Sequence, residues 1–92
     1  YNVYPAEIEA VLCEQPGVEE AGVYGVADDD LGQVLHADIV GDVDFERLAN
    51  DLRERMSRYK VPRHFHRVDA LPRNAMGKVV RARLGSHDPS VG

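Results

Sequence analysis

The segment LPRNAMGKVVR, from Leu71 to Arg81, sets a lysine directly after a glycine in a turn-rich, basic stretch. Gly77 can take a positive φ without a Cβ clash, so the chain can turn there and project Lys78 from the tip of a loop. An ammonium at such a tip is suited to negative charge building on a phosphate or carboxylate oxygen. Read alone, Lys78 fits a solvated surface lysine better, because most lysines are exposed. The Gly77–Lys78 pair is not a P-loop. Pro72 stands where that motif needs its first glycine, and Val79 replaces the Ser/Thr that would hold Mg²⁺. No nucleotide cradle or substrate pocket is evident beneath the lysine.

Other candidate chemistry is weaker. His64 and His66 share one strand face, a spacing able to bind a metal. No third ligand is near them in sequence, with Cys13 and His36 far along the chain, so half-exposed strand histidines are the expectation. Cys13 has no evident base and no basic neighbour to make a thiolate. Asp28 to Asp30 lacks the further spaced carboxylates of a calcium loop and reads as a solvated turn. The few Tyr and Phe residues are too scattered for a nucleic-acid stacking platform, and the acidic half argues against one. No metal site is expected.

These residues must be positioned by a small set of elements. Pro5 suits a first helical turn, with Glu7 and Glu9 near its positive end. Ile8, Val11 and Leu12 form an i, i+3, i+4 stripe, and Pro16–Gly17 stops the helix. Residues 18–26 (VEEAGVYGV) read as a strand, Asp28 to Gly32 as a turn, and Val34 to Val40 as a second, antiparallel strand. A helix is expected from about Asp44 to Tyr59, with Phe45, Leu48, Leu52, Met56 and Tyr59 on one face. Val61 before Pro62 is pushed to extended geometry. His64 to Val68 reads as a short strand with Phe65 facing away from the two histidines, and Leu71 to Gly77 as a loop. Val79 to Leu84 is expected to form a short terminal helix, followed by a mobile tail over residues 85–92. The order α-β-β-α-β-α predicts an α+β domain, a three-stranded sheet packed by helices.

Ninety-two residues allow one small domain with a modest core. The chain starts at Tyr1 on a helix-start pattern, as expected of a piece of a longer polypeptide, such as a lid on a larger enzyme. It shows no membrane span and no signal peptide. Its one cysteine, Cys13, permits no internal disulfide and favours a reducing, cytoplasmic setting. The net charge of −5 conceals a division. Residues 1–46 hold 12 acidic residues and no Lys or Arg; residues 47–92 hold all 11 Lys and Arg and only Asp51, Glu54, Asp69 and Asp88. Either the basic half faces an anionic partner, or the two halves fold together and neutralise each other.

Four ordered segments resemble one family. NVYPAEIEAVL (Asn2 to Leu12) is similar to the start of the small C-terminal domain of adenylate-forming, AMP-binding enzymes, especially acyl-CoA synthetases. Gly25-Val26-Ala27-Asp28 with Leu31-Gly32-Gln33 resembles its strand–turn pattern. Tyr59-Lys60-Val61-Pro62-Arg63 resembles its YKVP segment, and Leu71-Pro72-Arg73 with Gly77-Lys78-Val79 its terminal lysine motif. The likeness covers residues 1–84. The Gly41 to Asp44 link is shorter than usual in the family, and the tail after Leu84 matches nothing. VYPAEIE is nearer to CoA ligases than to peptide-synthetase adenylation domains, and PRNAMGK is close to malonyl- and fatty-acyl-CoA ligase forms.

The resemblance implies a two-step reaction. A carboxylic acid and ATP give acyl-AMP and pyrophosphate, and CoA then displaces AMP. It implies that Lys78 is catalytic in the first step, that Gly77 is a cofactor-binding residue beside it, and that Asn2 and Tyr4 are cofactor-binding residues at the CoA site after the domain rotates. It further implies ATP and CoA as substrates, with Mg²⁺ accompanying ATP and held mainly by a large N-terminal domain of the same enzyme. The fragment alone is expected to be inactive. The alternative is a free-standing regulatory or anion-binding α+β module that uses its basic half.

Overall fold

The computed structural model describes residues 3–85. Helix α1 (Pro5–Cys13) begins after Tyr4 with the proline in its first turn, as the missing N–H allows. Strands β1 (Val18–Asp28) and β2 (Gly32–Gly41) pair antiparallel as a hairpin. Asp28 closes its turn by accepting from the backbone N–H of Asp30 and Leu31, both at 2.9 Å. Helix α2 (Phe45–Arg55) is capped by Asp44, whose carboxylate accepts from the N–H of Glu46 and Arg47. Strand β3 (His64–Arg67) then pairs parallel to β2, so α2 is the crossover and the sheet order is β1-β2-β3.

The strand alternation divides the sheet into two faces. Ala21 and Val23 of β1 lie opposite Ile39 and Ala37 of β2, and both pairs join the core under the helices. Ile8, Leu12, Leu48 and Leu52 complete it, each with no exposed surface. Each leucine so buried contributes about 1.5–3 kcal/mol. The opposite face carries Tyr24, His36, Asp38, His64 and His66, in register across three strands. The C-terminal end of the described chain crosses this face. Leu84 packs so closely over Gly22 that a Cβ there would stand 2.5 Å from the leucine side chain. The Gly85 N–H donates to Asp38 Oδ2 at 3.0 Å.

Two expected helical stretches are shorter than the periodicity implies. The second helix ends at Arg55, because Met56 turns to extended backbone (φ −149, ψ 164). A separate 3-10 turn, Arg58–Lys60, follows and leaves Tyr59 47% exposed. That turn brings Val61 into the core at the foot of β3, which a continued helix would not do. The expected terminal helix is a single 3-10 turn, Arg81–Arg83. Residues 79 and 80 are held extended instead, by an antiparallel bridge from Arg73 to Val79 and a 2.8 Å bond from Val80 N–H to the Pro72 carbonyl. Of the expected tail, residues 86–92 lie outside the described residues.

Candidate functional site

Lys78 sits on a small closed loop. Leu71 enters it buried, at 6% exposure, and the Arg73–Val79 bridge closes its base. Gly77 adopts φ 84, a conformation that strains any residue with a Cβ. The space around it is open, so the turn and not crowding calls for glycine there. Asn74 organises the crown. Its Oδ1 accepts from the N–H of Met76 at 2.9 Å and of Lys78 at 3.0 Å, and its own N–H donates to the Lys78 carbonyl at 2.9 Å. The Arg73 guanidinium donates to the Gly77 carbonyl at 2.8 Å and pairs with Glu20 of β1.

The chain leaving the loop is fastened as firmly. Arg81 makes a two-pronged ion pair with Glu9 of α1, at 2.7 and 2.8 Å. Glu9 Oε2 also accepts from the backbone N–H of Val23 at 2.7 Å, covering the outer edge of β1. Loop, first helix and first strand are thus one unit. The Lys78 side chain is exposed and has no hydrogen bond or ion pair within the described residues. It lines neither the groove bordered by Phe45, Arg53, Arg58, Tyr59 and Arg63 nor the shallower depression beside Cys13 and Leu71. Neither of these two depressions lies beneath the charge.

Part of the charge division is internal. Lys60–Glu7, Arg81–Glu9, Arg55–Glu14, Arg73–Glu20 and Arg67–Asp42 each join a base of the second half to an acid of the first. To that extent, five of the eleven bases, the halves neutralise each other as in the second of the two readings.

The remaining candidates are distributed elsewhere. Tyr4 is 61% exposed and precedes α1, its carbonyl accepting from Glu7 N–H; no hydrogen bond links it to the Lys78 loop. Asn2 lies outside the described residues. His36, distant in sequence from His64 and His66, is beside both, because β2 and β3 pair in parallel. His36 Nδ1 and His66 Nε2 are 2.8 Å apart, and the His36 and His64 ring centres 4.7 Å. The sheet thus brings His36, far from the two histidines in sequence, beside them. Among the described residues, no three His, Cys, Asp or Glu side chains are grouped to hold a metal. Burial raises the Cys13 thiol pKa above its ordinary value; a backbone hydrogen bond at Ala21 opposes this, and the Glu9 charge adds to it. That environment is the reverse of one that makes a thiolate nucleophile.

Sequence reasoning reached Lys78 and Gly77 but not Glu9, Glu20, Arg73, Asn74 or Arg81, which hold them. Asn74 alone carried a local signal, an Asn and a Gly at the first and fourth positions of a turn.

The family model described as the AMP-binding enzyme C-terminal domain matches residues 7–78. The 2-succinylbenzoate–CoA ligase of Bacillus licheniformis is 54% identical over 85 residues, covering 90% of this chain and 18% of that protein. The o-succinylbenzoate CoA synthetase of Bacillus subtilis, solved with its acyl-adenylate intermediate, superposes with a TM-score of 0.89 at 42% identity. That match covers 96% of this chain and 19% of the other. A Mycobacterium tuberculosis fatty acyl CoA synthetase also superposes at 0.89, with 35% identity, covering 99% of this chain and 19% of its own. The chain thus spans about a fifth of the length of these relatives.

Proposed function

Because the chain belongs to the AMP-binding enzyme C-terminal domain family, we propose that it is the mobile C-terminal domain of an ATP-dependent acyl-CoA synthetase. In this reading Lys78 is the adenylation lysine. A carboxylate oxygen attacks the α-phosphorus of ATP. The new O–P bond forms as the bond to the bridging oxygen breaks and pyrophosphate leaves. Lys78 spans the carboxylate and the α-phosphate and offsets the charge that gathers between them. The CoA thiol, losing its proton, then attacks the acyl carbonyl and releases AMP. The chain does no chemistry until a larger domain supplies the nucleotide and acyl sites.

The observation that carries this reading is the exposed ammonium, unpaired among the described residues, on a loop built to present it and away from both surface depressions. A lid that closes on a site elsewhere has that form, and closure would exclude water from a hydrolysable acyl-AMP. Tyr4 and Asn2 are assigned to the CoA side of the rotated domain. The Mg²⁺ that accompanies ATP would find its ligands outside these residues. A cytoplasmic setting fits the ATP and CoA consumed. The free-standing anion-binding module rested on the charge division, part of which the cross-pairs of the two halves take up.

For the acid, the relatives favour 2-succinylbenzoate over the malonyl and fatty-acyl substrates of the ligases that PRNAMGK resembles. The match to the 2-succinylbenzoate ligase extends over 85 residues and not one motif. The fold does not discriminate, since two synthetases named for different acids superpose equally well.

The test is Lys78→Ala in the full-length protein, with each half-reaction assayed separately and both acids offered. Adenylation should fall about 10²–10³-fold, the scale for removing one charge-stabilising donor. Thioester formation from supplied acyl-AMP should persist. Equal loss of both steps, or loss of neither, would overturn the role of Lys78.

A further inference from the structure

The Gly77–Lys78 peptide is gripped from both sides. Its carbonyl accepts from the Arg73 guanidinium at 2.8 Å, and its N–H donates to Asn74 Oδ1 at 3.0 Å. The second prong of Arg73 reaches Glu20 on β1, so the grip is anchored to the sheet and not only to the loop. Asn74 Oδ1 also takes the Met76 N–H, which fixes the turn on the other side of Gly77.

We infer that Arg73 and Asn74 are positioning residues for Lys78, with Glu20 orienting Arg73, and that their function is to aim the lysine during adenylation. This rests on the reading of Lys78 given above. The physical case is one of leverage. A lysine side chain is long and has many rotamers, so its reach is defined only as well as its backbone is. A glycine at φ 84 immediately before it adds a permissive joint. Left alone, that joint would let the Cα–Cβ direction of Lys78 swing. Securing the intervening peptide at both its C=O and its N–H removes the swing while leaving the side chain free of any partner that would compete with substrate. Misplacing a catalytic group by about 1 Å can cost about 10²-fold in rate. The guanidinium suits the task because its rigid fork serves the Gly77 carbonyl and the Glu20 carboxylate at once, which one ammonium does not.

The core of the fold does not need these contacts. Arg73 and Asn74 are exposed, and the base of the loop is closed independently by the Arg73–Val79 backbone bridge and the Val80 to Pro72 bond. Their loss should therefore register in chemistry more than in stability.

The experiment uses the full-length enzyme carrying Arg73→Met, Asn74→Ala or Asn74→Asp, each with and without Lys78→Ala. Pyrophosphate exchange reads adenylation, and CoA consumption from supplied acyl-AMP reads the second step. The expected result is a fall of about 10–100-fold in adenylation kcat for Arg73→Met and Asn74→Ala. The KM for ATP and the second step should stay within about twofold. Asn74→Asp should recover most of the rate, since a carboxylate oxygen accepts the same two N–H groups. In the Lys78→Ala background the same changes should cost less than about twofold, because residues that act only through Lys78 have nothing left to position.

Equal loss in both half-reactions, or a full penalty that persists without Lys78, overturns the inference. If Arg73→Met fails to fold, that counts against it too, and the Asn74 pair still decides the aiming role. Should Lys78→Ala itself leave adenylation intact, the functional reading falls and this inference with it. Should Lys78→Ala abolish adenylation while Asn74→Ala is silent, only the positioning role is lost.

Discussion

Glu9 ties the first helix to both the first strand and the chain leaving the Lys78 loop, and the cost of its removal follows from those contacts. One of its oxygens accepts from the backbone N–H of Val23, a residue with no exposed surface, and both oxygens meet Arg81. β1 is an edge strand, so this N–H has no neighbouring strand to satisfy it. Glu9→Ala leaves the donor buried and unpaired, which costs about 1–3 kcal/mol. The lost ion pair adds less. Arg81 is 52% exposed against 15% for Glu9, so water screens the pair and about 0.2–1 kcal/mol is appropriate. The expected total is about 1.2–4 kcal/mol, a large share of the roughly 5–14 kcal/mol a domain of this length commands. Glu9→Gln separates the two terms. Its amide oxygen can still take the Val23 N–H, so it should cost under about 1 kcal/mol. Urea unfolding of the 92-residue chain, followed by circular dichroism at unchanged m-value, reads both variants. If the Gln variant is as unstable as the Ala variant, the ion pair and not the capped edge matters, and the reasoning fails.

Two further outcomes follow from local geometry. Asp44→Ala removes the cap that serves Glu46 and Arg47 N–H and should lower the urea stability by about 1 kcal/mol, with Asp44→Ser recovering most of it. Burial first, and the hydrogen bond to Asp38 second, push the Tyr24 phenol well above its usual pKa. The folded state therefore keeps a proton that the unfolded chain releases from about pH 10 upward. Stability should be flat below that point and fall above it. Tyr24→Phe should flatten the alkaline fall while lowering neutral stability by about 1.5–3 kcal/mol through the lost bond to a carboxylate.

What the sequence discloses depends on how far apart the interacting residues lie. The first helix, the hairpin and the start of the second helix rest on neighbours: Pro5 in a first turn, Asp28 bonded two and three residues ahead, Asp44 capping Glu46 and Arg47. All three are legible. The end of the second helix is not, because what breaks it at Met56 is the need to carry Val61 back into the core. The apolar spacing through Tyr59 has the right period for a continued helix, and tertiary packing overrides it. Likewise the His36, His64 and His66 group depends on a parallel register that no local pattern encodes. At the site, Lys78 is legible from its motif, but its two fastenings span 53 residues (Arg73 to Glu20) and 72 residues (Arg81 to Glu9).

The charge division and the lysine are two sides of one arrangement. Read as a surface property, a basic second half invites a search for an anionic partner across that whole half. The ion pairs redirect it. Arg55, Lys60, Arg67, Arg73 and Arg81 are each engaged by an acid of the first half, and two of them, Arg73 and Arg81, brace the segments on either side of Lys78. The same pairs that remove positive charge from the surface hold in place a lysine they leave unpaired. A substrate oxygen approaching this loop therefore meets an ammonium whose backbone is fixed but whose charge is not already satisfied. That is the state a charge-stabilising group needs before the reaction begins, since reorganisation at the moment of reaction would forfeit most of its effect.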